Sequence, residues 1–255
     1  MGFLIALIGG FLGVILAIVV IAAIVYSKIQ KVVGGPVRMN ELKTAVSHAK
    51  EIARDEYTRV KNVSGLTSML EPRILRDFPE FNRDLLFSLN ERNLRKIFNS
   101  IEAQDLSEIS NDRDLIYIEP QIRARIDDMK SNQISEKFDN VEFNRSAISS
   151  YTKDNGKATI RVSTSLGYYY NSNRKDKKVY ADLKKQTRYT TEFVYVYDET
   201  RFDKRQLAIS VHCKNCGAPI TNLGDSHCEY CMAPVQRINL RAWKMSSYKE
   251  DYNNK

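Results

Sequence analysis

Asp154-Asn-Gly-Lys157 stands between two stretches that alternate apolar and polar residues, and it decides the fold class. An Asn-Gly pair tolerates positive φ at both central positions, which a tight two-residue hairpin turn needs. On its N-terminal side Val141, Phe143 and Arg145 begin a strand. On its C-terminal side residues 157–170 continue as a long strand with Ile160, Val162 and Leu166. Residues 187–198 alternate too, placing Tyr189, Thr191, Phe193, Tyr195 and Tyr197 on one face. Two further strands, 206–212 and 237–245, are expected on either side of a cysteine cluster. From about Val141 onward the period is therefore 2, the signature of half-buried strands.

Upstream the period is 3.6. After the break at Gly34-Gly35-Pro36, a helix is expected from near Met39, with Leu42, Val46, Ala49, Ala53, Tyr57 and Val60 recurring at steps of three and four. Gly65 marks the next boundary. Pro79 is placed in the first turn of a long helix, where a missing amide costs nothing. Phe81, Leu85, Leu89, Ile97, Phe98 and Ile101 supply its buried side, and Asn90 marks a bend. A third helix is expected over 120–129 with Ile122 and Ile126 inward. Helices first and antiparallel strands afterwards define an α+β class. That domain is expected over 66–248, followed by a polar, frayed tail over 249–255.

Residues 3–26 contain no charge and no proline. As a helix the run is about 36 Å long, against roughly 30 Å of bilayer hydrocarbon, so it spans with some tilt. Tyr26 falls at the interface, and Lys28 and Lys31 follow at headgroup depth. A cleaved signal peptide has a basic start, a shorter apolar core and a small-residue cleavage site, none of which is present. The start Met1-Gly2 lacks the Ser or Thr that myristoylation wants, since position 6 is Ala6. Residues 1–27 are therefore expected to be a single-pass anchor. Lysines and arginines follow the span and none precedes it, which places the C-terminal part in the cytoplasm of a cell-membrane protein. Within the span Gly9 and Gly13, flanked by Ala6 and Ala17, form a small-residue face that suits a homodimer. The alternative is the ordinary glycine content of membrane helices. Residues 28–61 hold eight basic and four acidic residues. The segment 28–65 thus reads as a basic juxtamembrane amphipathic helix, either lying on an anionic leaflet or packing on its own domain.

All four cysteines of the chain stand in the pattern Cys213-Lys-Asn-Cys216 and Cys228-Glu-Tyr-Cys231. Two CxxC pairs let each pair grip one side of a tetrahedral ion. Gly217 and the Ala-Pro that follows each knuckle favour tight turns that aim backbone amides at the sulfurs. Disulfides are disfavoured in the cytoplasm, a redox pair wants a βαβ context that is missing, and iron–sulfur centres use other spacings. A zinc ribbon over about 206–245 is the expectation. His212 and His227 adjoin cysteines, yet four sulfurs already complete the shell, and a closed shell is structural rather than catalytic.

Phe78-Pro-Glu-Phe81 and Ile101-Glu-Ala-Gln-Asp-Leu106 bracket the long helix. Together with Cys213-Lys-Asn-Cys-Gly-Ala-Pro219, Cys228-Glu-Tyr-Cys231 and a last strand containing Trp243, they resemble the bacterial branch of the Tim-forty-four-like domain family. That family is named for a tether subunit of the mitochondrial inner-membrane import motor. The likeness covers 66–248, although the long helix lacks a tryptophan near Ile101. It implies a cystatin-like, nuclear-transport-factor-like fold in which a curved sheet wraps the long helix and leaves a cone-shaped apolar pocket. It also implies membrane association and binding rather than catalysis.

No Walker loop, dinucleotide fingerprint or nucleophile elbow occurs, so no catalytic or cofactor-binding residue is assigned. The acidic pairs Asp127-Asp128 and Asp112 with Asp114 are expected to be solvated. Catalysis by a pocket Asp or Tyr rests on fold analogy alone. The net charge of +8, with seven basic residues over 174–188 beside Tyr168-Tyr169-Tyr170, supplies a second alternative, RNA or ribosome binding. A solvated hairpin loop explains the same residues. The expectation is a membrane-tethered binding or scaffold module with a protein or lipid partner.

Overall fold

The computed structural model describes residue 28 and residues 39–63, 65–175, 180–198, 213, 215–218, 227–234 and 241–251. The expected anchor, its Gly9 and Gly13 face and the expected strand 206–212 lie outside the described residues. Among the described residues no helix is long and apolar enough to cross a membrane. The chain divides into two compact units at the step from Glu56 to Tyr57, nine residues before the Gly65 boundary. The first contains most of α1 (Met39–Thr58), on which Val46 and Ile52 are exposed.

The second unit is α+β, as expected. Among its described residues four helices come first: α2 (Thr67–Asp77), α3 (Arg83–Ala103), α4 (Ser107–Ser110) and α5 (Glu119–Ser131). Among the same residues four strands follow: β1 (Glu136–Asp154), β2 (Lys157–Ser172), β3 (Lys184–Val196) and β4 (Lys244–Glu250), all antiparallel in the order β1-β2-β3-β4.

The hairpin turn forms where the Asn-Gly pair predicts it. Asp154 pairs with Lys157, and Asn155 and Gly156 take φ of 49° and 78°. Positive φ at both positions is the turn geometry whose twist matches the flanking strands. β1 differs from expectation in its start and its pattern. It begins at Glu136, and its register slips between Asp139 and Glu142, between Phe143 and Arg145, and between Ile148 and Ser150. Each slip inserts a residue, bends the strand and resets which face its side chains take. Simple alternation through 141–145 therefore fails, and Arg145 is exposed.

The long helix also starts later than expected. Asn82 caps it, its side-chain oxygen accepting from the Leu85 amide at 2.9 Å, and Pro79 lies in the turn before. Of the expected inward residues Phe81, Ile97, Phe98 and Ile101 are buried, but the buried series runs through Leu86, Asn90 and Leu94, so Leu85, one position off that series, is 69% exposed. α3 runs unbroken through Asn90 for 21 residues. α2 has no counterpart in the sequence-derived elements, since Pro72 inside it opposes an isolated helix. Tertiary contacts hold it: Leu70 and Ile74 are buried, and the Thr67 hydroxyl accepts from the Ile148 amide at 2.9 Å.

Of the expected strand 237–245, residues 237–240 lie outside the described residues and 241–243 are not strand; β4 starts at Lys244 and runs through Glu250 into the segment expected to be tail. Tyr248 is buried opposite Thr191, and the Asp251 carboxylate takes the Arg188 guanidinium at 2.6 Å. Those polar residues read as a tail only because their partners are remote in sequence.

The core lies between α3 and the sheet. Phe98 of α3 stacks on Phe138 at 4.9 Å between centroids and meets Tyr168 and Tyr189 at 5.7 and 5.4 Å. Two turns before Phe98 on α3, Asn90 is fully buried; its amide donates to the Thr164 hydroxyl at 2.8 Å, and the Thr191 hydroxyl donates to its carbonyl at 2.7 Å. Replacing Asn90 by Ala takes one hydrogen bond from each hydroxyl, leaving Thr164 with Ser146 and Thr191 with the Val162 carbonyl, and opens a void, so chemical denaturation should show a loss of about 2–4 kcal/mol. The triple change Asn90→Leu, Thr164→Val, Thr191→Val removes the amide and both threonine hydroxyls together, leaving only the half-buried Ser146 hydroxyl without Thr164, and should recover most of that loss.

Candidate metal centre

The cysteine cluster is built from two copies of one local fold. In the first, the Cys213 amide donates to the Ala218 carbonyl at 2.8 Å and the Gly217 amide to the Cys213 carbonyl at 2.8 Å. In the second, the Cys228 amide donates to the Ala233 carbonyl at 2.9 Å and the Met232 amide to the Cys228 carbonyl at 2.9 Å. Each loop needs a left-handed residue just after its second cysteine; Gly217 has φ 71° and Met232 φ 59°. The Ala218 and Ala233 amides point at the sulfurs of Cys216 and Cys231. The Asn215 side chain adds a donor to the Cys231 sulfur at 3.5 Å.

This places all four Sγ atoms within 4.8 Å of one another. Cys213 lies 3.7 Å from Cys231, and Cys216 lies 3.7 Å from Cys228. A tetrahedral ion with metal–sulfur bonds of about 2.3 Å has sulfur–sulfur edges of about 3.8 Å. A disulfide requires about 2.05 Å, and all four thiols are free. The cluster is thus compatible with a metal ion such as zinc. Cys213 and Cys228 are buried and Cys216 is exposed. His227 pairs by a backbone bridge with Pro234 across the second knuckle, and His212 lies outside the described residues.

The thiols differ in acidity. The Ala218 amide lowers the Cys216 pKa, but its hydrogen bond to Cys231, burial, and the contacts with Cys228 and Cys213 outweigh this and push it up to about 12. The Asn215 amide first, then the Ala233 amide, pull Cys231 down to about 6.

Other sequence candidates fall elsewhere. Asp112 binds Lys96 at 2.7 Å, and Asp114 takes Arg92 at 2.5 Å and Lys244 at 2.6 Å. These carboxylates are partly buried structural partners rather than solvated groups; burial raises the Asp114 pKa, but Lys244 and Arg92 outweigh it and hold it below the usual range. In the basic stretch, Lys184 pairs with Glu142, Lys185 with Glu250 at 2.5 Å, and Arg188 with Asp251. Tyr168 and Tyr170 are buried. These charges and rings are committed within the fold.

Fold and site together define an α+β protein with a helix-backed antiparallel meander and a four-cysteine, metal-type cluster. The chain matches no family model and no curated protein.

Met232 is the one non-glycine left-handed residue of the described knuckles, and it carries a strain of about 1 kcal/mol that glycine lacks. Met232→Gly should therefore tighten the retention of a metal ion loaded at the cluster, against a competing chelator, up to about fivefold, and Gly217→Ala should weaken it by a similar factor. Metal uptake must displace the Cys216 proton, and below about pH 6 the Cys231 proton too. Retention should accordingly fall as pH is lowered from about 8 to 5, with proton release measurable on loading.

Proposed function

We propose that this chain is a membrane-tethered, non-enzymatic binding module, stiffened by a structural zinc held by Cys213, Cys216, Cys228 and Cys231. The observation that carries the reading is the four-sulfur shell. Its edges suit a tetrahedral ion and leave no position for substrate. The uncharged run over 3–26 supports an anchor, and the lysines after it support a cytoplasmic C-terminal part. Tethering raises the effective concentration of a weak binder near a membrane partner, so modest affinity suffices. The resemblance to the Tim-forty-four-like family favours a protein partner connected with translocation or envelope assembly, with lipid as the other candidate.

Purified under reducing conditions, the full chain should contain one zinc per molecule. Cys216→Ser should cut that content at least tenfold and open the 213–231 segment to protease, because metal binding energy is folding energy in so small a module. Crosslinking in intact membranes, followed by identification of what is captured, tests the function itself. Reproducible capture of one membrane or secreted protein supports the tether. Dominant capture of RNA, or turnover of a small molecule that a single buried-residue substitution abolishes without unfolding, would overturn it.

A further inference from the structure

Each cysteine knuckle has one sulfur that solvent reaches and one that it does not. Cys216 is exposed and Cys231 half-buried, whereas Cys213 and Cys228 are buried. The short sulfur contacts run crosswise between the knuckles, from Cys231 to Cys213 and from Cys216 to Cys228, each at 3.7 Å. Every reachable sulfur thus lies against an enclosed sulfur of the other knuckle. A disulfide needs about 2.05 Å, so either contact closes when its two sulfurs approach by about 1.7 Å in total. Each knuckle backbone is held by its own hydrogen bonds, so the approach falls to rotation of the cysteine side chains.

The other two pairings compare poorly. A bond inside one knuckle closes a loop of only four residues and leaves the knuckles unjoined where no ion ties them. Crosswise bonds close the longer loops 213–231 and 216–228, which restrict the unfolded chain more. Pairing Cys216 with Cys231 leaves Cys213 and Cys228 to be oxidised together, and both are buried.

We propose that on exposure to a peroxide the cluster exchanges its metal for two crosswise disulfides, Cys213–Cys231 and Cys216–Cys228. Release of zinc rests on the structural-zinc reading above, while the pairing rests on the thiols alone. Cys231, to whose sulfur the Asn215 side chain donates at 3.5 Å, attacks one peroxide oxygen. The O–O bond breaks, leaving a sulfenic acid on Cys231 and one water. The Cys213 sulfur then attacks the Cys231 sulfur, the S–O bond breaks, and the hydroxyl leaves with the Cys213 proton as a second water. Two electrons pass from the sulfur pair to the peroxide. Cys216, exposed, and Cys228, enclosed, repeat the sequence with a second peroxide. Four thiols and two peroxides become two disulfides and four waters; thiolates that had held an ion take their four protons from solvent. The thiolate is the metal ligand, so oxidised sulfurs no longer hold the ion. The crosswise bonds then join the knuckles in its place.

The full chain in detergent, reduced and loaded with zinc, is treated with hydrogen peroxide, quenched with catalase and alkylated. Cleavage of the denatured product after Lys214 and after Glu229 separates Cys213 from Cys216 and Cys228 from Cys231, so mass spectrometry distinguishes all three pairings. Loss of all four thiols, release of the zinc to a chromogenic chelator, and a crosswise product at least about tenfold over either alternative are expected. The oxidised, metal-free chain should resist protease over 213–231 where the reduced, chelated chain is open. Dithiothreitol should restore the thiols and the zinc uptake. The same pairing is expected in chain prepared without zinc, so a failure of the zinc reading leaves the pairing to be decided by itself. Bonds within a knuckle, a Cys213–Cys228 bond, oxidation to sulfinic acids without disulfide, or four thiols persisting in peroxide would each overturn the proposal.

Discussion

Helix α3 must bury one face against the sheet, and Asn90 sits in the middle of that face. A buried amide is tolerable only where both its donor and its acceptor find partners. The partners are Thr164 on β2 and Thr191 on β3, which lie on adjacent strands. The Thr164 hydroxyl also meets Ser146 on β1 at 3.0 Å, so one polar chain crosses three strands under the helix. Sliding α3 by a turn would leave the amide facing apolar side chains, at a cost of about 1–3 kcal/mol for each orphaned group. The position of Phe98, and through it the packing of Phe138, Tyr168 and Tyr189, follows from that register.

Charge in this unit serves mainly as a fastening. Asp114 joins Arg92 on α3 to Lys244 at the start of β4, and Asp112 holds Lys96 one helical turn further along α3. The loop after α4 is thereby tied to the helix and to the last strand. Such pairs exceed the 0–1 kcal/mol typical of exposed ones only where water is partly excluded, as it is at Lys244.

The cysteine knuckles obey a different physics. Their backbone hydrogen bonds form two nearly identical loops, and the sulfurs converge at distances that suit an ion. Short loops bury little apolar surface, so a metal bound there would supply the cohesion that rings supply between α3 and the sheet. The difference at the left-handed positions, Gly217 against Met232, shows that the loop hydrogen bonds can hold an unfavourable φ.

Features carried by contiguous residues were legible in the sequence. The Asn155-Gly156 turn, the aromatic face of β3, the inward Ile122 and Ile126, and the convergence of the four cysteines all follow from local dihedral preferences or fixed spacing. What depended on partners far along the chain was not. The three bulges of β1 answer to strand β2, the helix α2 survives Pro72 through contacts with β1, and β4 extends to Glu250 because β3 pairs with it. Asn90 and Glu136 look in the sequence like any polar residue of a helix or a strand end. Only the tertiary structure buries them, and burial gives each an energetic role, since an amide or carboxylate removed from water must find its partners within the fold, as Asn90 does in two threonines and Glu136 in Arg125 and Arg174.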